Sequence, residues 1–326
     1  MMTRRHATRS LPRFALALAL SASACDTTED AENDVKGELH TFASDASGFD
    51  TRAFYYDTGE EVVVFDALFT EPLAEALVAE IEATTDSPIT FVVITHPNPD
   101  KFNGVGPLRA AGATIVASEA TAAAIPGVHA YKRDYFVGAG MFSEETYPPE
   151  ATVDQTFARA LRLPLASGAV VDLEVLDNPG VSSTQTVAHI PAIDALIVGD
   201  LVHHRAHAWL EGGIVDGAPR PDLGSWRAAL GELLAYPEAT VVYGGRGEPA
   251  PLDAAVTEQR RYLEVMEGLV KRYVDSLNDP VDALTGDDAG THYAALTDAA
   301  KAAFPDYALD YMITYGVYGL ALALAE

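Results

Sequence analysis

Basic residues are scarce in this chain of 326 residues. It contains 21 Lys and Arg against 48 Asp and Glu, and its formal net charge at pH 7 is −27. A surface of this sign repels phosphate backbones, which argues against nucleic acid as a partner. It also repels anionic lipid headgroups, so any attachment to a membrane has to come from a source other than surface charge.

Cysteine and long apolar runs are scarce as well. The single cysteine, Cys25, has no second thiol with which to form a disulfide. Four arginines before residue 14 precede a short apolar run, 14–20, and the small residues 22–24. The run is too short for a membrane-spanning helix, which needs about 20 apolar residues. This order of charged, apolar and small residues is typical of a signal peptide, which we expect over 1–24.

The segment Ser23-Ala24-Cys25 resembles the lipidation site of a bacterial lipoprotein, although Ala22 stands where such sites usually carry Leu. The resemblance implies that Cys25 is acylated, and that the protein is exported and held in the cell envelope by a lipid anchor alone. Secretion with Cys25 as an unmodified first residue is the alternative. The acidic segment that follows, with few apolar residues, predicts a solvated tether over 25–47.

The rest of the chain alternates between strand-like and helix-like segments. Ala53–Tyr56 and Glu61–Phe65 predict a strand pair, and the uninterrupted apolar run Phe91–Ile94 predicts a strand that is covered on both faces. Helices are predicted after Thr70 and from Ser118. Further strands are predicted at 114–117, 161–165, 170–176, 186–190, 195–198 and 240–243, and further helices at 105–111, 226–234 and after Pro251.

These segments form two similar halves, each with strands first and helices after them. Such an order predicts an α/β fold over 48–275, a four-layer αββα sandwich in which two sheets face each other and helices cover the outside. A helical extension is predicted over 276–326. Its uncharged end, Tyr311–Ala325, is too short to span a membrane and predicts a helix that is buried or lies at a dimer interface.

Four segments with potential ligand residues lie next to predicted strands. They are THPNPDKFNG (95–104), DNPGVSSTQTVAHIP (177–191), ALIVGDL (195–201) and VVYGGRGEP (241–249). In this order they resemble the metal-binding motifs of the metallo-β-lactamase-fold hydrolases: Thr-His-x-His-x-Asp-His, Pro-Gly-His-Thr, a strand ending in Gly-Asp, and a strand leading to Gly-His-Gly. The resemblance covers about residues 48–273. It implies the αββα fold and hydrolase-like chemistry on a small ester, lactam, lactone or thioester.

The family's metal-ligand positions are mostly filled by residues that do not bind metals. The resemblance assigns seven positions: His96, Asn98 and Val181 for one metal, Asp100, Lys101 and Arg246 for the other, and Asp200 as the bridge between them. Only His96, Asp100 and Asp200 retain ligand side chains. Each metal would keep two protein ligands, whereas catalytic zinc takes about three and a water. We therefore expect no cofactor or a single zinc, and not a zinc pair.

Two of the replacements introduce positive charge where the family holds cations. Because an unpaired buried charge destabilises a protein by about 3–5 kcal/mol, we expect Lys101 and Arg246 to lie within salt-bridge distance of Asp100 or Asp200. Asp100 resembles the family's proton-handling carboxylate and is the candidate catalytic acid or base.

Other residues could rebuild a site. His203, His204 and His207 follow Asp200 closely in the sequence. One or two of them could join Asp200 as metal ligands, or they could line the pocket. We assign His207 to the pocket first. Ser182 could form a hydroxyl–imidazole pair with His96 or His207, although the sequence has no Gly-x-Ser-x-Gly motif.

Two classes of function remain open. The first is a hydrolase-like enzyme with a depleted metal site. The second is a non-catalytic lipoprotein that binds a small ligand or a partner in the former active-site pocket, because fold alone does not determine function.

Overall fold

In the computed structural model the described residues are 37–326, and they build two six-stranded sheets with helices on their outer faces. The predicted signal peptide, Cys25 and most of the predicted tether lie outside the described residues. No helix among residues 37–326 is long and apolar enough to cross a membrane.

The first sheet comes from the N-terminal half of the chain. Its strands, in spatial order, are β1 (Glu38–Ala43), β2 (Arg52–Asp57), β3 (Val62–Phe65), β4 (Ile89–Ile94), β5 (Thr114–Ser118) and β6 (Gln155–Phe157). Strands β1 to β3 pair antiparallel, and β3 to β6 pair in parallel. The helices of this half are α1 (Glu71–Thr84), α2 (Pro99–Phe102), α3 (Val105–Ala110) and α4 (Glu119–Gly138). Parallel neighbours require crossover connections, and these helices lie in them.

The second sheet comes from the next part of the chain. Its strands are β7 (Ala160–Arg162), β8 (Asp172–Val175), β9 (Thr186–Ile190), β10 (Ala195–His204), β13 (Val241–Gly247) and β14 (Ala250–Pro251), in the spatial order β14-β13-β10-β9-β8-β7. Strands β11 (Gly213–Val215) and β12 (Ala218–Arg220) form a separate hairpin. Strands β10 and β13 are parallel, with α5 (Leu223–Glu232) between them in the chain, so their carboxyl ends reach the same edge of the sheet.

The core divides as a four-layer sandwich requires. One apolar cluster joins residues of both sheets, such as Val93 of β4 and Ile197 of β10, and fills the space between them. A second cluster joins the other face of the first sheet, including Val92, to α1 and α4. A third joins the second sheet to α5 and to α6 (Leu252–Asp275). The predicted αββα fold is therefore confirmed, and the alternation of Val92 and Val93 explains why β4 is an uninterrupted apolar run.

The folded domain begins earlier than the sequence predicts. Strand β1 lies inside the segment 25–47 that its composition assigns to a tether, yet it pairs with β2 along its full length. The strand lies at the edge of the sheet and none of its side chains is fully buried, so polar residues such as Glu38 and His40 are tolerated there. Because of this polar composition, the strand cannot be predicted from a pattern of alternating apolar residues.

The C-terminal extension packs on the domain and belongs to the same compact unit. Its helices are α7 (Pro280–Thr285), α8 (Ala289–Ala303), α9 (Tyr311–Gly316) and α10 (Tyr318–Ala325). Side chains of α9 and α10, among them Ile313, Val317 and Leu320, join the apolar cluster that covers the second sheet. The apolar tail therefore packs against the domain, as the first of the two predicted alternatives has it. It forms two short helices rather than one.

Candidate functional site

Four charged side chains meet where the two sheets end side by side. Asp100 and Lys101 lie in α2, which follows β4 directly, while Asp200 lies within β10 and Arg246 within β13. Pro99 at the first turn of α2 suits a helix start, because proline lacks the amide hydrogen that would remain unpaired there. All four side chains are at least nine-tenths buried, and we call them the charge cluster.

Each cation of the charge cluster contacts both carboxylates. The Nζ of Lys101 lies 2.9 Å from Oδ2 of Asp100 and 2.7 Å from Oδ1 of Asp200. The guanidinium of Arg246 places Nη2 at 3.0 Å from Oδ2 of Asp100 and Nη1 at 2.7 Å from Oδ2 of Asp200. The two expected salt bridges are present, and each cation makes two. The cluster carries two positive and two negative charges and is balanced.

Neighbouring polar groups add hydrogen bonds to the charge cluster. The hydroxyl of Thr51 accepts a bond from Lys101 at 2.8 Å and donates one to Oδ2 of Asp100 at 2.8 Å. The Nε of Arg246 donates to the carbonyl oxygen of Phe49 at 2.8 Å. Buried charges are tolerated when their hydrogen-bonding groups are paired in this way.

The electrostatics of the cluster favour the charged forms. Burial alone would raise the pKa of Asp200, but Arg246 and Lys101 together hold it well below its usual range. Asp100 is similar, since burial opposes ionisation while Lys101 and Arg246 lower its pKa overall. For Lys101, burial acts to lower the pKa but the two carboxylates raise it. All these groups therefore stay ionised near neutral pH.

Close packing around Asp200 requires a glycine. A Cβ at Gly245 would lie 1.9 Å from Oδ1 of Asp200 and 2.9 Å from Nζ of Lys101. Any side chain at this position of β13 would push the carboxylate or the ammonium group out of place. The glycine before Arg246 thus allows β13 to lie close to the charge cluster, and this places the Arg246 side chain within it.

The other residues at family ligand positions do not complete a ligand set. His96 is buried, with Nε2 3.9 Å from Oδ2 of Asp200, and burial lowers its pKa to about 4. Val181 is part of the apolar cluster outside the second sheet. Asn98 is half-buried and borders a cavity described below.

These residues do not fit a zinc pair. Within residues 37–326, no group of three or more His, Cys, Asp and Glu side chains is arranged to hold a metal ion. The space between Asp100 and Asp200 contains the ammonium group of Lys101, and Arg246 bridges the same carboxylates. A cation in that space would have to displace two positively charged side chains.

The three histidines after Asp200 do not rebuild the site. His207, assigned to the pocket from the sequence, instead packs against Tyr262, Phe304 and Tyr307, with Nδ1 3.3 Å from the Tyr262 hydroxyl. The reason is that the C-terminal extension covers this part of the chain, and none of the sequence motifs includes that extension.

His203 and His204 point to other neighbours. His203 is buried and its ring lies against Trp226, without a hydrogen-bond partner among the described residues. His204 lies 3.5 Å from a carboxylate oxygen of Glu258. The Oγ of Ser182 is buried and likewise finds no partner within 37–326, so the structure contains no Ser182–histidine pair there.

A small cavity opens directly beside the charge cluster. Its volume is about 40 Å³, enough for a few atoms, since one water needs about 10–15 Å³ on this measure. It is lined by the charged residues Asp100, Asp200, Arg246 and Lys132, the aromatic residues Phe49, Phe69, Phe136 and Trp209, and Asn98, Pro99 and Met312.

A second buried ion pair borders the same cavity through its lysine, and neither of its residues belongs to a sequence motif. Lys132 of α4 contacts Glu211, and its Nζ lies 5.1 Å from the centre of the Trp209 ring. Glu211 also accepts hydrogen bonds from Nε1 of Trp209, at 2.9 Å, and from the hydroxyl of Tyr318 in α10. We call Lys132 and Glu211 the Lys–Glu pair. It connects the cavity wall to the C-terminal extension.

Two solved structures and one family model resemble this chain. The solved structure of a metallo-beta-lactamase from Pontibacter korlensis has a TM-score of 0.52 and 24% sequence identity, covering 70% of this chain and 95% of its own. One from Hirschia baltica has a TM-score of 0.47 and 18% identity, covering 68% of this chain and 92% of its own. The family model described as "Metallo-beta-lactamase superfamily" matches residues 47–246, a span that contains every member of the charge cluster. This chain therefore belongs to the metallo-beta-lactamase superfamily.

Proposed function

We propose that this protein is a metal-independent member of the superfamily that binds a small uncharged carbonyl compound in the cavity beside the charge cluster. The observation that carries the proposal is the position of Lys101 and Arg246, each bridging Asp100 and Asp200. These two cations supply the positive charge that the fold otherwise obtains from metal ions. In this proposal the metal-binding positions hold a structural cluster and no zinc pair.

The character of the cavity supports an uncharged ligand. Two carboxylates, Asp100 and Asp200, and two cations, Lys132 and Arg246, line the cavity, so its wall has no formal net charge. An ionic ligand would lose its hydration without gaining an opposite charge. Hydrogen-bond donors are present, because the Asn98 amide, the Lys132 ammonium group and the Arg246 guanidinium all border the cavity. A carbonyl oxygen is the acceptor that suits such donors.

The same contacts argue against Asp100 as a catalytic base. A carboxylate that is paired with two cations and accepts a hydroxyl hydrogen bond has a lowered pKa, and a base with a low pKa is a weak proton acceptor near neutral pH. Hydrolysis of a small ester, lactam, lactone or thioester is therefore the second candidate. Membership in a superfamily with a hydrolase-like fold favours it, whereas the charge cluster favours binding without turnover.

Methionine methyl NMR can test the proposal because Met312 borders the cavity while Met266 is fully buried in the core. Protein labelled at the methionine methyl carbon and treated with EDTA is titrated with N-ethylacetamide. We expect a saturable shift of the Met312 signal and none of the Met266 signal. An unchanged Met312 signal at saturating amide would contradict the proposal.

Turnover separates the two candidate functions. The same protein is assayed with ester, lactam, lactone and thioester reporters, with and without EDTA and zinc. We expect no hydrolysis above buffer. Hydrolysis that survives EDTA would favour a metal-free hydrolase, and hydrolysis restored by zinc would favour a conventional metallohydrolase.

For its location, we propose export and a lipid anchor at Cys25, supported by the Ser23-Ala24-Cys25 resemblance and by the acidic composition, which disfavours electrostatic membrane binding. Replacing Cys25 by Ser should move the protein from the membrane fraction to the soluble envelope fraction. Retention in the membrane after a salt wash would contradict the anchor.

A further inference from the structure

An apolar groove runs along the surface directly outside the small cavity. Its volume is about 640 Å³, and Met141, Phe142, Tyr311 and Tyr315 line it together with Phe49. Met141 and Tyr315 are 41% and 39% exposed, so the groove presents large apolar side chains to solvent. Two of the lining residues, Tyr311 and Tyr315, belong to α9 of the C-terminal extension, beyond the residues that match the family model.

Phe49 borders both spaces and stands between them. On the cavity side its ring packs against Phe69, Phe136 and Trp209, with ring centres 5.1, 5.5 and 5.9 Å away. On the other side it lines the groove. One side chain therefore separates the polar cavity from the apolar groove.

The backbone at this position is in a conformation that bulky residues rarely adopt. Phe49 has φ of 58° and Asp50 has φ of 48°. Two contacts hold the turn: Arg246 donates to the carbonyl oxygen of Phe49, and the hydroxyl of Tyr311 donates to a carboxylate oxygen of Asp50 at 2.6 Å. The charge cluster and the C-terminal extension thus hold the backbone of this turn from both sides, and neither contact involves the Phe49 ring.

We infer that the cavity and the groove form one binding site for an elongated molecule with an uncharged carbonyl head and an apolar tail. The head occupies the cavity, the tail lies in the groove, and Phe49 moves aside to connect them. This inference rests on the proposed function, because it assigns the cavity to the carbonyl head. A tail buried against the groove increases affinity in proportion to its apolar area.

The charge of the surroundings selects against a fatty acid. The cavity is balanced, and the chain as a whole carries a formal charge of −27. A carboxylate would enter a strongly acidic protein and find its potential partners, Lys101, Arg246 and Lys132, already paired with carboxylates. An ester or amide of the same length does not meet this obstacle.

The test compares N-ethylacetamide with N-butyl-, N-hexyl- and N-octylacetamide by the methionine methyl signals. Met312 reports the cavity, Met141 reports the groove and Met266 is the internal control. We expect all four amides to shift Met312, only the longer ones to shift Met141, and Kd to fall about fourfold for each added methylene. Decanoate, which has the same number of chain atoms beyond the carbonyl carbon, should bind at least tenfold more weakly than N-octylacetamide.

Matched variants locate the tail. Met141→Glu should weaken N-octylacetamide at least tenfold and leave N-ethylacetamide unchanged. Val281→Glu introduces the same charge at another exposed apolar residue, on α7 and outside both spaces, and should alter neither.

The two proposals fail differently. If N-ethylacetamide does not shift Met312, the proposed function is wrong. If it shifts Met312 but affinity does not increase with chain length, Met141 remains unshifted, or Val281→Glu weakens N-octylacetamide as much as Met141→Glu, the proposed function stands and the inference about the groove is overturned.

Discussion

Two buried sets of ion pairs border one cavity in this protein, and they differ in what they hold together. The charge cluster joins α2, β10 and β13, so it links the ends of strands from both sheets. The Lys–Glu pair joins α4 to the loop after β10 and, through Tyr318, to α10. The first lies at the positions of a metal site, and the second attaches a C-terminal extension that the family model does not include.

The difference concerns how each set balances its charge. In the charge cluster two cations face two carboxylates, and every cation contacts both, so loss of one cation leaves a net negative charge shared by two buried groups. In the Lys–Glu pair one cation faces one carboxylate, which also receives two neutral donors, Trp209 and Tyr318. We therefore expect the charge cluster to be the more sensitive of the two to substitution.

The largest effect is expected for Arg246→Met. The variant leaves Asp100 and Asp200 buried with only Lys101 as a cation, and breaking a buried ion pair in this way lowers the free energy of unfolding by about 3–5 kcal/mol. Urea unfolding of the purified domain measures it. The matched control is Arg159→Met, which removes an ion pair to Asp177 in which both side chains are more than 60% exposed, and it should leave stability unchanged. Similar small changes in both variants would contradict the structural role of the cluster.

A smaller loss is expected for Lys132→Met. Glu211 is then buried without its cation but keeps the hydrogen bonds from Trp209 and Tyr318, so we expect a loss of about 2 kcal/mol. The double variant Lys132→Met/Glu211→Gln, which removes both charges, should recover part of it. A loss larger than that of Arg246→Met would reverse the comparison.

His207 predicts an acid sensitivity that is separate from both sets of ion pairs. Burial lowers the pKa of His207 to about 4, against an ordinary value of about 6.5. Between these values the unfolded chain binds more protons than the folded one, so stability falls as pH decreases from 6.5 to 4, by at most about 1.4 kcal/mol per pH unit for one group.

Replacing His207 by Phe should remove this contribution. Urea unfolding of the parent protein and of His207→Phe at pH 6 and pH 5 measures it, and the variant should lose less stability between the two. An equal loss in both proteins would show that His207 does not titrate in this window.

The smallest effect is expected for Tyr318→Phe. It removes one of the three donors to Glu211 and should destabilise the protein by about 1 kcal/mol. Because the ring remains, packing of α10 is preserved, and hydrogen exchange should show faster opening of α9 and α10 without a change in the two sheets. Uniform acceleration in both regions would mean that the extension does not open separately.

Much of the fold could be predicted from the sequence because its strongest signals are local. The apolar run of β4, the cap at Ser118 and the long apolar stripe of α6 all report on structure within a few residues of themselves. The helix predicted after Thr70 begins at Glu71 as expected, although the Thr70 side chain makes no capping bond.

The site was predictable only where a motif fixed the position of a residue. The pairing of Lys101 and Arg246 with the two aspartates follows from the need to balance buried charges at the family's metal-ligand positions. Lys132 and Glu211 are 79 residues apart and belong to no motif, so only the tertiary packing brings them together. His207 was misplaced for the same reason, since its neighbours Tyr262, Phe304 and Tyr307 lie 55 or more residues further along the chain.

The central claim is that two side-chain cations stand where the superfamily holds metals. The most direct test measures zinc per chain by elemental analysis of protein purified without chelator, together with the unfolding temperature after addition of EDTA or of excess zinc. We predict no stoichiometric zinc and an unfolding temperature that neither reagent changes, because a ligand that does not bind the folded state cannot stabilise it. Two zinc ions per chain, or a clear fall in unfolding temperature with EDTA, would contradict the account.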